Sequence, residues 1–210
     1  MSNYYNGIPG TYLPKDKNVV EDTVQPDEAP LLSLDLSNFL KVAKFEKVPY
    51  EQFEKDIMSN NCLDNPEQST IKELYDAIKL PKRGTPDSAG YDFHSPISFR
   101  LKKGKSIVIP TGIRCQIKKF WWLMALPRSG SGFKYKVQLY NTVGVIDGDY
   151  YNADNYGHIM IKLTSEHDCK FNQGDGFCQG IFTLYGITTD DEVSGKRTGG
   201  LGSTDVVKNQ

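Results

Sequence analysis

The 210 residues carry 25 Lys and Arg against 26 Asp and Glu, a net charge of -1, and 38% of them are hydrophobic. This suits one domain with a real core plus some 80 residues ahead of its main body, and it lacks the global basic field of a nucleic-acid binder. The longest apolar run, 120–126, is too short to span a bilayer, so no membrane partner is expected.

The N-terminus, MSNYYNGIPG, has neither a basic start nor an apolar h-region and is not read as a secretory signal. Cys62, Cys115, Cys169 and Cys178 show no CxxC or Cys/His spacing. They read as free, buried thiols of a reducing compartment, giving a cytoplasmic expectation that leaves room for a nuclear or viral-host setting.

Residues 1–30 are rich in Asn, Pro, Asp, Glu and Gly and read as a flexible arm. Part of 31–48, around FLKVAKFEKV, predicts the first strand. Residues 49–80 change character: Phe53 and Ile57 are four apart, Ile71, Leu74 and Ile78 share a helical face, and Thr70 with Glu73 form a capping-box pair. A small helical insertion follows, packed on the body or, second, binding a protein partner; the arm 1–30 is the other candidate partner surface. From Pro81 onward, Gly-rich turn clusters punctuate short apolar runs such as SIVIPTGIRCQI, WWLMALP, HIMIKL and CQGIFTLYGI. Short strands at fairly regular spacing, with no helix-length periodicity between them, predict an all-β sandwich or barrel.

LYNTVGVIDGDY, 139–150, reads as a hairpin: Asn141-Thr142 turn the chain, and Val143, Val145 and Ile146 return it. Asp147 and Asp149 then flank Gly148, and Tyr150 follows. Asp and Gly are also ordinary turn residues.

Five stretches in order carry a resemblance: SAGYDF at 88–93, PRSGSG at 127–132, NTVGVIDGDY at 141–150, GDGFCQGIF at 174–182 and RTGGLGST at 197–204. The chain resembles the trimeric dUTP pyrophosphatase (dUTPase) family over roughly 38–48 and 79–204. The resemblance implies a dUTPase-like β-barrel or jelly roll over 31–195, with the helical insertion at about 49–80 and flexible arms at 1–30 and 196–210. It also implies a homotrimer with shared sites, and hydrolysis of dUTP to dUMP and pyrophosphate.

That reaction needs water aimed in line at the α-phosphorus and charge neutralised on the phosphate oxygens. Asp147 corresponds to the family's water-activating aspartate. Tyr150 would lie flat on the deoxyribose and leave no space for a 2′-hydroxyl. Asn141 would hydrogen-bond the uracil edge together with backbone groups of Gly144 and Ile146, or would serve only as a turn former. In PRSGSG, Arg128 forks onto phosphate, Ser129 offers a hydroxyl, and Gly130 offers an N–H. Gln179 would donate to the triphosphate or be a structural amide. Asp92 resembles the aspartate that holds Mg²⁺ through water, or is a structural carboxylate. Mg²⁺ usually keeps several waters and arrives on substrate phosphates.

The resemblance implies that the glycine-rich C-terminus, 196–210, closes over the nucleotide. Arg197, Gly202, Ser203 and Thr204 would meet it there, with Ser203, Thr204 and Arg197 at the γ-phosphate and Leu201 over the base. The chain departs from the family at several points. Leu201 replaces the usual phenylalanine, Ser131-Gly132 the commoner Leu-Ala, and Gly176 a basic residue. Lys196-Arg197-Thr198 leaves open which cation works. The alternatives are a dCTP deaminase of the same fold family and a regulatory binding protein on a dUTPase scaffold.

Overall fold

The computed structural model describes residues 39–60, 62–63, 67–195, 197 and 199. The expectations for the arm 1–30 and for Leu201, Gly202, Ser203 and Thr204 lie outside the described residues.

Among the described residues twelve strands carry the fold: β1 (Ala43–Lys47), β2 (Lys82–Arg83), β3 (Tyr91–His94), β4 (Phe99–Leu101), β5 (Ser106–Pro110), β6 (Ile113–Ile117), β7 (Trp121–Pro127), β8 (Gln138–Leu139), β9 (Gly144–Ile146), β10 (Met160–Thr164), β11 (Cys169–Phe171) and β12 (Gly176–Leu184). The sheets run β2-β3-β12-β7-β9, β5-β10-β8, β1-β6 and β11-β4, and every pair is antiparallel. The strands alternate as a half-buried pleat requires: Ile113, Cys115 and Ile117 of β6 point inward, as do Ile161 and Leu163 of β10. These faces and those of β3, β4, β7 and β12 fill one apolar core. The all-β expectation holds, and among the described residues no helix is long and apolar enough to cross a membrane.

The insertion consists of α1 (Tyr50–Ser59) and α2 (Gln68–Asp76). Phe53 and Ile57, one turn apart on α1, are buried with Ile71 of α2, and Tyr50 and Tyr75 meet edge to face at 5.5 Å. Full burial of each such side chain is worth roughly 1.5–3 kcal/mol, so the packing role expected for the insertion is met. It closes on the turn between β5 and β6. There Gly112 adopts φ +72, and a Cβ on it would run into Ile78.

Three local expectations are corrected. The Thr70–Glu73 capping box does not form: Glu67, extended at φ -67 and ψ 150, occupies the cap, so α2 starts before Thr70, and no side chain caps it. The stretch 139–146 is not a hairpin, because β8 pairs with β10 while β9 pairs with β7. Its tight turn hands the chain from one sheet to another; the Thr142 amide donates to the Leu139 carbonyl at 3.0 Å, with Thr142 at φ 70. Lastly, the Gly-rich cluster within PRSGSG, expected as a turn, opens a short helix, α3 (Ser129–Tyr135), ended by Lys136 in the left-handed region.

Candidate functional site

The predicted residues fall into two groups. The first lines a cleft between the β8–β9 turn and β10, where Asn141, Gly144, Ile146, Tyr150 and Arg197 come together with Lys162. Asn141 stands exposed on the turn, fixed by the Val143 amide donating to its own carbonyl at 2.7 Å. Tyr150 sits in a short 3-10 helix, Gly148–Asn152, that begins directly after Asp147.

The Tyr150 hydroxyl donates to the His158 carbonyl at 2.7 Å and accepts from Asn155 Nδ2 at 2.8 Å. Burial pushes this phenol above its ordinary range, so it stays a donor. Arg197 lies over the Tyr150 ring, with its guanidinium carbon 5.0 Å from the centroid. Its Nη1 is 3.1 Å from Asp147 Oδ2 and 3.5 Å from Asp149 Oδ1. The fifth motif thus meets the third within one chain, on the half-exposed carboxylate of Asp147.

The second group sits at the far end of β7. Arg128 forks onto Asp92: Nε is 3.0 Å from Oδ1, and Nη2 donates to Oδ2 at 3.2 Å. Its Nη1 also donates to the Gly176 carbonyl at 3.3 Å. A Cβ on Gly176 would run into the Arg128 guanidinium, so the glycine makes room for this pose. Register places Gln179 of β12 beside Asp92 on one side and Leu126 on the other, and its Nε2 donates to the Pro127 carbonyl at 3.0 Å. Ser129 and Gly130 lie exposed in the first turn of α3, where helix amides lack intrahelical acceptors.

The two groups are far apart in one chain. Ile146 pairs with Leu123, so Asp147 follows alongside Trp122, six residues before Arg128. At about 3.3 Å per strand residue that is roughly 20 Å, too far for both to serve one phosphate chain.

Among the described residues no cluster of three or more His, Cys, Asp or Glu side chains could hold a metal ion. The donor set on offer is one carboxylate, Asp92, next to a phosphate-type cation. That fits an ion brought in on substrate phosphates and met through its waters, not a protein cage. The four cysteines are free, and burial raises Cys62 to about 11 and both Cys115 and Cys178 to about 12, which makes them inert thiols at neutral pH.

Sequence reasoning passed over His158 and Asp56. The His158 ring is wholly buried, with Nδ1 2.5 Å from Asp56 Oδ2, a partner 102 positions away that no local spacing signals.

Comparison with known proteins points to one family. The dUTPase family model matches residues 76–204. A deoxyuridine 5'-triphosphate nucleotidohydrolase of Lactococcus lactis is 36% identical over 132 residues, covering 60% of this chain and 88% of the relative. One of the same name from Dictyoglomus turgidum is 32% identical over 145 residues, covering 64% and 95%. Among solved structures, a dUTPase from Streptococcus mutans superposes with a TM-score of 0.50 at 28% identity, over 69% of this chain and 97% of that one.

Proposed function

The chain belongs to the dUTPase family, and from that membership we propose that it is a dUTP diphosphatase, hydrolysing dUTP to dUMP and pyrophosphate. The observation that carries the reading is the cleft that joins Asn141, Tyr150 and, through Arg197, Asp147.

In this reading the base enters beside the β8–β9 turn, where Asn141 and the backbone of Gly144 and Ile146 meet the uracil edge. The close turn leaves no room for a 5-methyl group. The Tyr150 ring takes the deoxyribose, and its place is supported by a hydroxyl already held at the His158 carbonyl. Asp147 accepts a proton from the water that attacks the α-phosphorus. A positioned base of this kind typically contributes about 10²–10⁴-fold.

Arg128, Ser129, Gly130 and Gln179 bind the phosphates. Arg197 leaves Asp147 for the γ-phosphate as the C-terminal arm closes, with Ser203 and Thr204 beside it and Leu201 and Gly202 over the nucleoside. Asp92, which holds the Arg128 fork, would hold a substrate-borne Mg²⁺ through water. When bound, the ion supplies charge neutralisation on the phosphates.

The roughly 20 Å between Asp147 and Arg128 within one chain supports sites completed by neighbouring copies, as in the homotrimer that family membership implies. The deaminase alternative calls for a glutamate near the third motif, and Asp147-Gly148-Asp149-Tyr150-Tyr151-Asn152 contains none. Pyrophosphate release from dUTP, dCTP, dTTP and UTP by the pure protein tests the reading. Fast turnover of dUTP alone supports it; ammonia release from dCTP, or no turnover of dUTP, overturns it.

A further inference from the structure

Behind Tyr150, the residue that holds its hydroxyl, His158, is met in turn by a side chain of the insertion. Asp56 stands on the last turns of α1, on the face that also buries Phe53 and Ile57. It reaches a histidine ring that no solvent touches: His158 Nδ1 is 2.5 Å from Asp56 Oδ2. The other ring nitrogen, Nε2, accepts the Gly112 amide proton at 2.7 Å.

An N–H pointing at Nε2 leaves no place for a proton there. The imidazole is therefore neutral, with its proton on Nδ1 donated to the Asp56 carboxylate. A second donor, Gln52 Nε2 at 2.8 Å, fixes that carboxylate oxygen. The Phe53 ring, 6.3 Å away between centroids, flanks the imidazole. Every polar atom of this histidine ring is thus assigned, and its orientation is set from the insertion at Nδ1 and from the β5–β6 turn at Nε2.

The same residue holds Tyr150. The His158 carbonyl accepts the Tyr150 hydroxyl at 2.7 Å and Asn155 Nδ2 at 3.3 Å, and the His158 amide donates to the Asn155 carbonyl at 3.1 Å. A ring locked at both nitrogens fixes the backbone that carries it, and that backbone holds the hydroxyl at the far end of the Tyr150 ring.

We infer that Asp56 is a positioning residue for the nucleoside subsite: through His158 it sets the depth of the Tyr150 ring, and so the insertion helps to set discrimination between deoxyribose and ribose. The inference rests on the reading of Tyr150 as the sugar-facing residue. Asp56 itself touches neither the cleft nor the reacting atoms. Its effect is on where a wall stands, and it falls on KM and on the choice between dUTP and UTP, not on the chemical step.

The test uses the full chain with Asp56→Asn, Tyr150→Phe, both together, and Tyr150→Ala. For each, kcat and KM are measured with dUTP and UTP. Asparagine keeps the shape, but its amide oxygen is a neutral and weaker acceptor for the imidazole N–H than the carboxylate. Asp56→Asn is expected to raise KM for dUTP and to shrink the dUTP-over-UTP preference in kcat/KM by about two- to tenfold, the scale of one hydrogen bond, with kcat for dUTP close to wild type.

Tyr150→Phe, which cuts the link at its other end, is expected to act alike, and the double variant to be no worse than either single one, since coupled residues do not add. Tyr150→Ala reports on the sugar-facing reading by itself. If it leaves the preference unchanged, that reading falls and takes the inference with it. If Tyr150→Ala collapses the preference while Asp56→Asn leaves KM and preference at wild-type values, the reading stands and the inference is overturned. Full additivity in the double variant overturns it as well, as does a lowered melting temperature with unchanged kinetics. Should Asp56→Asn not fold, Gln52→Ala loosens the same carboxylate more gently and is scored by the same ratio.

Discussion

Arg197 Nη1 rests 3.1 Å from Asp147 Oδ2, so a guanidinium already pairs with one oxygen of the carboxylate proposed to activate water. A nucleotide that enters the cleft can draw this cation away and free the whole of the carboxylate, which is already half-exposed. The triphosphate is the natural group to do so, since a guanidinium forks onto phosphate as readily as onto carboxylate.

Asp147→Asn removes the proton acceptor but keeps the side chain's size. Turnover of dUTP is expected to fall by about 10² or more, while a non-hydrolysable dUTP analogue still binds. Calorimetric titration beside steady-state rates checks both halves. Near-normal turnover would return Asp147 to a mere turn residue.

Arg197→Ala uncovers the Tyr150 ring and Asp147 while removing the arm's phosphate contact. The oligomer is expected to be intact by light scattering and KM for dUTP to rise by about tenfold or more, the scale of a charge-assisted hydrogen bond. An unchanged KM would confine Arg197 to the nucleotide-free protein.

Asp92→Asn breaks the charge match with Arg128 and leaves the fork loose. Because the pair is part-exposed, at 42% and 28%, its loss should change stability by no more than about 1 kcal/mol. The kinetic effect should be larger: a higher KM and a higher Mg²⁺ concentration for half-maximal rate. A melting temperature well below wild type with an unmoved Mg²⁺ dependence would make Asp92 structural only.

Asp56 predicts an acid limb. Burial alone raises its pKa, but hydrogen bonds from His158 and Gln52 lead the effects that outweigh it and hold it below its ordinary 3.8. A carboxyl depressed on folding adds stability that is fully present above 3.8 and is lost as pH falls through the lower folded value. Wild type should therefore lose stability below about pH 4 more steeply than Asp56→Asn. Urea unfolding at a series of pH values measures the two slopes, and parallel curves would contradict the assignment.

Much of this was legible in the chain. Turn clusters between short apolar runs announced the β architecture, because each strand's alternation is written locally in runs such as IRCQI and MIKLT. The motif residues Asn141, Gly144, Ile146 and Tyr150 do meet, since they follow one another along a single excursion of backbone. What failed depended on distant partners. The hairpin reading of 139–146 was defeated by β10 and β7, which claim its two limbs separately. The Asp92–Arg128 fork joins positions 36 apart and Asp56–His158 positions 102 apart, and neither leaves a mark in spacing or composition.

The separation of Asp147 and Arg128 along β7 has a genetic consequence. Two variants, Asp147→Asn and Arg128→Ala, each inactive alone, carry complementary lesions. If one cleft draws its water-activating group from one copy and its phosphate fork from another, unfolding and refolding the two together creates trimers in which some clefts inherit both intact side chains. Random mixing in equal amounts should revive about one quarter of the clefts. Were both groups to serve a cleft from the same copy, no mixture of the two dead variants would regain any activity.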